Sequence, residues 1–335
     1  MSLHHRSASA GDNLRASAGN GERGSARGDM PRPGRGGGTF RSSQRSRNST
    51  AWVLMAPALA LLLIMTIVPA VYLLWASLRN KTLLGLTDRF VGLQNYRDVL
   101  SNPDQLHGFA RTGFFVLAAV TLELLLGLLL AVPLAAQSRS NNIAATLLLL
   151  PFAVTPVVSA LMFKELLNPA TGWIDYYMGQ IGLPAHVEWL SNPTTAWVAI
   201  IGLDVWQWTP FVALILMAGL QSLPHEPREA AAIDGANAWQ TFRHVSLPQL
   251  GPFIAIALVL RTIQAFKTFD AFALLTNGGP GKSTEIVNLQ IYRVALQSFR
   301  IGAASATAIV FLILLSLLVP LLLRFAGRNA DPEEA

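Results

Sequence analysis

The 335-residue chain contains no cysteine, so it can form no disulfide and offers no thiolate to a metal or to a nucleophilic reaction. Charged residues are also scarce, since they make up 13% of the chain, where soluble domains carry roughly 25%. The six histidines include no pair four apart with an acidic residue between them, as a zinc-hydrolase helix requires. We therefore expect no metal and no cofactor.

The residues that are present are largely apolar, with 52% of the chain hydrophobic. Long apolar stretches reach the length of about 20 residues that a helix needs to cross roughly 30 Å of hydrocarbon. Six such stretches cover residues 51–78, 108–136, 143–166, 195–220, 252–275 and 303–325. The sequence therefore predicts an all-α integral membrane protein with six transmembrane helices, in one domain over residues 49–327.

The net charge of +6 is confined to the N-terminal segment, because residues 1–48 hold nine arginines and three acidic residues. This segment is rich in Gly and Ser and has few apolar side chains to bury, which predicts a disordered basic tail. Attraction to anionic lipid headgroups explains such a tail before a membrane span more simply than nucleic-acid binding. Residues 328–335 form a second, short tail.

Basic residues next to a span favour the cytoplasmic side of a membrane. Several arginines precede the first apolar run, namely Arg32, Arg35, Arg41, Arg45 and Arg47. They place the N-terminus in the cytoplasm, and six spans return the C-terminus to the same side. The remaining loops do not reinforce this orientation.

A polar segment over residues 223–250 interrupts the apolar runs. Pro224 and Pro227 suit the first turn of a helix, and Gly235 suits a break between helices because it adopts backbone angles that other residues avoid. Leu247 and Pro248 then end the segment before the next apolar run. The pattern predicts two short helices joined near Gly235.

The residues of this segment resemble the EAA motif of permease subunits in binding-protein-dependent ABC importers. The matching positions are Glu229, Ala230, Ala231, Asp234, Gly235, Ala236, Phe242, Leu247 and Pro248. The resemblance implies that the segment is cytoplasmic and that these residues couple the chain to an ATP-hydrolysing subunit. It also implies the six-helix fold of type I importer permeases.

The similarity covers roughly residues 51–325 and is typical of the carbohydrate uptake branch, the maltose-permease type. It rests on Phe90 to Tyr96, Pro151 with Pro156, Trp206 to Phe211, and Leu275 to Pro280. It implies a bacterial cytoplasmic-membrane protein that imports a sugar or polyol and hydrolyses nothing itself. The implied partners are a second homologous permease, a cytoplasmic ATPase dimer, an external solute-binding protein and membrane lipid, without nucleic acid.

Sugars stack on aromatic rings and hydrogen-bond to polar side chains. In maltose-type permeases the sugar contacts come from the helices flanking the coupling loop and from a kinked helix before both. Matched onto this chain, they fall at Ser159, Asp204, Gln207, Trp208, Phe211, Arg261, Gln264 and Thr268. Several of these residues differ in type from their counterparts in the maltose permease, which indicates a different substrate.

Other interpretations remain open. Arg261 could hold glycerol 3-phosphate or another small anion, although Asp204 nearby disfavours this. An ion-coupled secondary transporter would use paired acids and inverted repeats, and no repeat is visible. A membrane enzyme would need clustered acid, base and nucleophile. Lys267 and Asp270, three residues apart, share a helix face and are expected to neutralise each other.

One further motif, residues 276–283, approaches the phosphate-binding pattern GxxxxGK[ST] but begins with Thr276 where that pattern has glycine. Pro280 also removes a backbone N–H that a phosphate cradle would use. We interpret the segment as a tight external turn between the fifth and sixth spans.

The basic tail is expected to be dispensable for transport, because its composition permits no packed structure and Arg32 to Arg47 remain to set the orientation. Deleting residues 2–30 should leave membrane insertion and solute uptake at the level of the full chain. A truncated protein that inserts correctly and yet transports nothing would contradict this expectation.

Overall fold

The computed structural model of the chain describes residues 40–136, 138–182 and 187–328. The expected basic tail lies outside these ranges up to residue 39, as do residues 329–335 of the short C-terminal tail. The first helix begins at Phe40, before the domain boundary that the sequence predicts at residue 49.

The described residues are predominantly helical, with one two-stranded sheet. The longer helices are α1 (Phe40–Ser77), α2 (Gln94–Ser101), α3 (Pro103–Leu134), α4 (Arg139–Leu148), α6 (Pro156–Leu166), α7 (Trp173–Gln180), α8 (Pro193–Ser222), α9 (Glu226–Ile233), α12 (Gly251–Phe266) and α14 (Ile301–Arg328). Short helices are α5 (Leu150–Ala153), α10 (Ala238–Thr241), α11 (Leu247–Gln249) and α13 (Val287–Tyr292). Three π-helical turns lie at Phe242–Ser246, Phe272–Thr276 and Arg293–Gln297. The strands β1 (Arg79–Lys81) and β2 (Asp88–Phe90) pair antiparallel.

Four of the described helices are long and apolar enough to cross a membrane as single spans: Met55–Ser77, Pro103–Leu134, Pro193–Ser222 and Ile301–Arg324. Two more spans arise if each of two bent helix pairs counts as one. Arg139–Ala153 meets Pro156–Leu166 at 90°, and Ala238–Gln249 meets Gly251–Phe266 at 63°. The described residues thus hold up to six spans, as the sequence predicts, with the third span broken and with residues 238–249 of the polar segment leading into the fifth.

The break in the third span is formed by the prolines that the sequence identifies as a kink. Pro156 has no backbone N–H to donate into the preceding turn, and Thr155 before it adopts an extended conformation. The carbonyl of Val154, which the break frees, accepts a hydrogen bond from Gln207 Nε2 on α8 at 2.7 Å. Backbone polar groups in a membrane must be satisfied within the protein, and Gln207 does this here.

The fifth span ends earlier than the sequence predicts, because α12 stops at Phe266 and not near residue 275. The carbonyls of Phe266 and Thr268, at the end of this helix, both accept hydrogen bonds from Asn288 Nδ2 at 2.8 Å. A long-range side chain therefore stabilises a helix end that local apolar patterning does not reveal.

The core joins α3, α8 and α12. Phe115, Leu203 and Phe272 lie in one buried apolar cluster, and Val212 and Leu216 lie in a second one. Glycine permits the close packing: a Cβ on Gly127 would lie 2.7 Å from Val212 Cγ1, and one on Gly219 would lie 2.5 Å from Phe253 Cγ. The first contact packs α3 against α8, and the second packs α8 against α12.

Residues 90–96, which carry part of the family resemblance, have a structural role. Asn95 is buried, and its Nδ2 donates to the carbonyls of Ser77 at 2.7 Å and Arg79 at 3.0 Å. Tyr96 Oη lies 2.6 Å from Ser77 Oγ. These residues thus tie α2 to the end of α1 and to the first strand.

Replacing Asn95 by alanine should destabilise the protein, because two backbone carbonyls at the end of α1 would lose a buried donor, at a cost of about 1–3 kcal/mol. Thermal unfolding of the purified protein measures the effect. Gln94→Ala is the matched control, since Gln94 is exposed and hydrogen-bonds only to exposed Asp98. Equal unfolding midpoints for the two variants would contradict the assigned role.

Candidate functional site

A buried ion cluster joins the three core helices. Arg261 on α12 lies between Glu123 on α3 and Asp204 on α8, and the three side chains are 1%, 0% and 5% exposed. Arg261 Nη2 donates to Glu123 Oε1 at 2.8 Å and also contacts Asp204 Oδ2, while Arg261 Nε contacts Glu123 Oε2. A buried charge is tolerated only when it is paired, and here one guanidinium serves two carboxylates.

Aromatic side chains border this cluster. The guanidinium carbon of Arg261 lies 4.9 Å from the ring centroid of Trp208. Trp208 in turn packs against Phe152 at 5.4 Å, and Phe152 stacks on Phe211 at 5.3 Å between ring centroids. The position of Trp208 is therefore fixed by a cation on one side and by an aromatic group on the other.

A cavity of about 220 Å³ lies beside the cluster, where the broken third span meets the end of α12. It is lined by Pro156, Leu203, Asp204, Gln207, Trp208, Gln264, Lys267, Thr268, Phe269, Asp270 and Ala271. Five of the eight solute contacts predicted from the sequence are among them, namely Asp204, Gln207, Trp208, Gln264 and Thr268. The lining combines carboxylate, amide, hydroxyl, ammonium and indole groups.

The other three predicted contacts do not line this cavity. Ser159 is fully buried in α6. Phe211 packs against the rings of Phe152 and Trp208. Arg261 is enclosed by Glu123 and Asp204, so its donors face acids of its own chain. The nitrogen of Gln207, although on the cavity wall, is occupied by the Val154 carbonyl.

The expected neutralisation of Lys267 by Asp270 is wrong. The ion pairs of the described residues include neither side chain. The prediction assumed a continuous helix, and α12 ends at Phe266, so the helical three-residue spacing does not apply. Both side chains instead line the cavity.

Glu123 is a partner of Arg261 that is not among the site residues predicted from the sequence. Its signal in the sequence is a single carboxylate inside a long apolar run, which on an insertion scale costs a few kcal/mol and therefore indicates a partner. The sequence pattern identifies such a residue as unusual but does not show which cation of another helix meets it.

The polar segment folds as predicted into short helices joined at Gly235. Gly235 has a φ of +83°. Its N–H donates to Ala232 O at 3.2 Å, and the N–H of Ala236 donates to Ala231 O at 3.0 Å. This pair of bonds is the Schellman motif, whose left-handed position favours glycine. A Cβ built on Gly235 would meet no atom within 4 Å. The choice of residue at this position is therefore restricted by backbone strain and not by a steric clash.

The second half of the segment starts with a capping box. Asn237 Oδ1 accepts from the Gln240 N–H at 2.9 Å, and Gln240 Oε1 accepts from the Asn237 N–H at 2.9 Å. The predicted stop at Leu247–Pro248 is not where the chain turns. A π-helical turn precedes Pro248, which then lies within α11, and the bend falls at Leu250 between α11 and α12.

Apolar side chains of this segment are exposed although its surroundings are polar. Ile233 is 87% exposed and Trp239 is 65% exposed. Their neighbours Ala232 and Ala238 line a cavity of about 720 Å³, whose lining combines apolar groups such as Val132, Leu220 and Phe242 with polar groups such as Gln221, His225 and Arg228. Exposed apolar groups gathered in one place are typical of an interaction surface. Glu229 is exposed on the same segment, and no ion pair of the described residues involves it.

Residues 276–284 form a compact turn and not a phosphate cradle. Thr284 Oγ1 donates to Gly279 O at 2.7 Å, and the Gly279 N–H donates to Thr276 O at 2.9 Å. Lys282 Nζ donates to Asp104 Oδ2 at 2.5 Å. This hydrogen bond and the carboxylate charge raise the pKa of Lys282 above its usual value. The lysine of the P-loop-like motif is thus engaged by the chain itself.

Comparison with known protein families gives a match over residues 108–330 to the sequence model described as "Binding-protein-dependent transport system inner membrane component". The match begins within α3 and includes the ion cluster, the cavity and the polar segment.

Characterised relatives are similar over most of their length. The trehalose/maltose transport system permease protein MalF of Thermococcus litoralis is 35% identical over 266 residues, covering 79% of this chain and 90% of the relative. The trehalose transport system permease protein SugA of Mycobacterium tuberculosis H37Rv is 31% identical, covering 87% and 93%. The sn-glycerol-3-phosphate transport system permease protein UgpA of Pectobacterium atrosepticum is 31% identical, covering 84% and 95%.

Among solved structures, the fold is similar to a chain of a bacterial ABC transporter involved in the import of the acidic polysaccharide alginate. The TM-score is 0.76 with 21% sequence identity, covering 86% of this chain and 99% of that one. The same TM-score is found for the alginate transporter in complex with an alginate pentasaccharide-bound periplasmic protein. At this identity the likeness shows the fold.

Proposed function

Because the chain belongs to the inner membrane components of binding-protein-dependent transport systems, the permease subunits of ABC importers, we propose that the solute it moves is a sugar or a related polyol. Membership also makes the chain a multi-pass inner membrane protein that hydrolyses no ATP itself. It decides against the secondary transporter and the membrane enzyme that the sequence alone left open.

The observation that supports a sugar is the lining of the 220 Å³ cavity. Trp208 offers an aromatic ring, and Asp204, Gln264 and Thr268 offer acceptors and donors around it. Sugars present apolar ring faces and many hydroxyl groups, which suit this combination. The relatives named for trehalose and maltose transport agree with the same class of solute.

The cavity is smaller than the range of about 300–1,000 Å³ that is usual for small-molecule pockets. We propose that a second, homologous permease completes it, so that each subunit supplies part of the solute site. Many apolar side chains of α1, α3 and α14 are exposed, as lipid and a partner subunit both require.

A small anionic solute is the second candidate, and it is supported by the relative named for sn-glycerol-3-phosphate transport. In the sequence, Arg261 is the residue that favours an anionic solute, but the structure pairs it with two acids of its own chain. Lys267 lines the cavity and is the remaining cation that could hold an anion there. Asp204 and Asp270 on the same wall disfavour this alternative.

We propose that residues 226–249 dock on a cytoplasmic ATPase dimer. Support comes from the exposed Ile233 and Trp239, from the adjoining cavity, and from the resemblance to the EAA motif at Glu229 to Ala231. This docking places the segment and both termini in the cytoplasm. The turn at residues 276–284 then lies outside, where an external solute-binding protein delivers its sugar.

Trp208→Ala should impair uptake while leaving assembly of the complex intact, because the aromatic face in the cavity is lost without any change to residues 226–249. A loss of about two- to tenfold in uptake is expected if one stacking contact of about 0.5–1.5 kcal/mol is removed. Uptake of labelled trehalose and maltose by whole cells measures it.

Trp206→Ala is the matched control for this experiment. Trp206 lies two residues away on α8 and packs against Phe163, outside the cavity lining. Equal uptake by the two variants, or wild-type uptake by Trp208→Ala, would contradict the proposed solute site.

Gly235→Trp and Glu229→Lys should uncouple the transporter from its ATPase. The first forces a bulky side chain into a left-handed backbone position, and the second reverses a charge whose buried partner contact is worth about 2–5 kcal/mol. The expected result is normal insertion with loss of ATPase co-purification and of solute-stimulated ATP hydrolysis.

Gly235→Asn separates strain from bulk, because asparagine tolerates the left-handed region better than other residues with a side chain. It should retain more stimulated ATP hydrolysis than Gly235→Trp. If Gly235→Trp and Glu229→Lys both keep the ATPase and wild-type turnover, residues 226–249 are not the coupling element.

A further inference from the structure

Arg261 occupies a position that neither structural packing nor solute contact alone explains. It is 1% exposed and lines no part of the solute cavity, and it touches two residues that do, Asp204 and Trp208. Its third contact, Glu123, is fully buried and shares Arg261 Nη2 with Asp204. The guanidinium therefore lies directly behind two residues of the cavity wall, outside the lining itself.

The geometry of the contacts suits a side chain that fixes the orientation of its neighbours. A guanidinium is planar and donates in a fixed fork, so its two acids and the indole ring it covers are constrained together. Glu123 restrains Arg261 through Oε1 at 2.8 Å and through a contact of Oε2 with Nε. If that restraint is removed, Arg261 can follow Asp204 alone and shift its position over Trp208.

Arg261 also connects the cavity to the polar segment. It lies ten residues after Gly251, the start of α12, which is about 15 Å along a helix with a rise of 1.5 Å per residue. The helix pair Ala238–Gln249 and Gly251–Phe266 joins residues 226–249 directly to the helix that carries Arg261. A displacement of α12 must therefore move a guanidinium that two cavity residues contact.

We infer that Arg261 and Glu123 are positioning residues for solute recognition. Arg261 sets the orientation of Asp204 and Trp208 on the cavity wall, and Glu123, which lies outside the cavity lining, acts by holding Arg261 and the Asp204 carboxylate that shares its Nη2. The inference rests on the proposed solute cavity, and it differs from the sequence-based assignment of Arg261 as a direct solute contact.

The absence of cysteine from the chain provides a direct test. Ala271→Cys places a single thiol on the cavity wall at a residue that is not among the proposed solute contacts, and its rate of reaction with a methanethiosulfonate reagent reports the shape of the cavity in the assembled transporter. Protection of this thiol by trehalose or maltose reports solute occupancy. Both readouts avoid the affinity of the external binding protein for solute.

In the Ala271→Cys background, Glu123→Gln should change the reaction rate and the sugar concentration for half-protection by about tenfold, the effect of one charge-assisted hydrogen bond. Arg261→Lys should do the same, because lysine keeps the charge but loses the planar fork. Val120→Ala is the matched control. Val120 is buried on the same helix three residues before Glu123 and has no hydrogen-bonding side chain, so its truncation removes packing but no ion-pair partner, and both readouts should stay at the parent's values.

Parent values for Glu123→Gln and Arg261→Lys in assembled transporter would overturn the inference and leave the cluster as a link between spans. An equal change in Val120→Ala would do so too, because any loss of packing would then suffice. Failure of the Glu123→Gln transporter to assemble would also contradict the inference. Arg261 and Asp204 remain as a neutral pair in this variant, so a residue that only positions Arg261 should not be needed for assembly. If no sugar protects the parent thiol, the proposed function fails, while the reaction rates still decide the inference.

Discussion

The pairing of Arg261 with Glu123 and Asp204 is the interaction on which the rest of the structure depends. Three charged side chains with almost no exposure bring α3, α8 and α12 to one point in an otherwise apolar core. In a membrane, water cannot solvate any of them, so each requires the others. The ion cluster specifies which helices meet and at what depth in the membrane. Apolar packing alone would specify both less strictly.

The same constraint locates the cavity. Asp204 belongs both to the ion cluster and to the cavity lining, and Trp208 lies under the guanidinium one turn further along α8. The break at Val154 and the early end of α12 open the space on the other side. A polar pocket within a membrane protein thus forms where two spans are interrupted and their freed carbonyls are satisfied by Gln207 and Asn288.

Local signals in the sequence predicted much of this architecture. Apolar runs predicted the spans, and Pro156 predicted the kink. The residue pattern around Gly235 predicted the paired short helices, because the backbone demands a left-handed residue there and glycine meets it. The candidate solute positions on α8 were taken from the family resemblance, and three of the four, Asp204, Gln207 and Trp208, line the cavity because they share one helix face.

Contacts between distant helices could not be predicted in the same way. The role of Arg261 depends on Glu123, which is 138 residues away in sequence, and the sequence contains no local mark of that pairing. The end of α12 depends on Asn288, and the expected Lys267–Asp270 pair depended on a helix that does not continue. Long-range side chains decide these points, and single-sequence periodicity does not report them.

We propose that a sugar passes through the cavity beside Trp208 and Asp204 while Arg261 stays paired with its own acids. A structure of the assembled importer with trehalose or maltose bound within the membrane would test this proposal. We expect sugar density against the Trp208 ring and within hydrogen-bonding distance of Asp204, with Arg261 still on Glu123. Sugar held elsewhere, or hydrogen-bonded directly to Arg261, would contradict it.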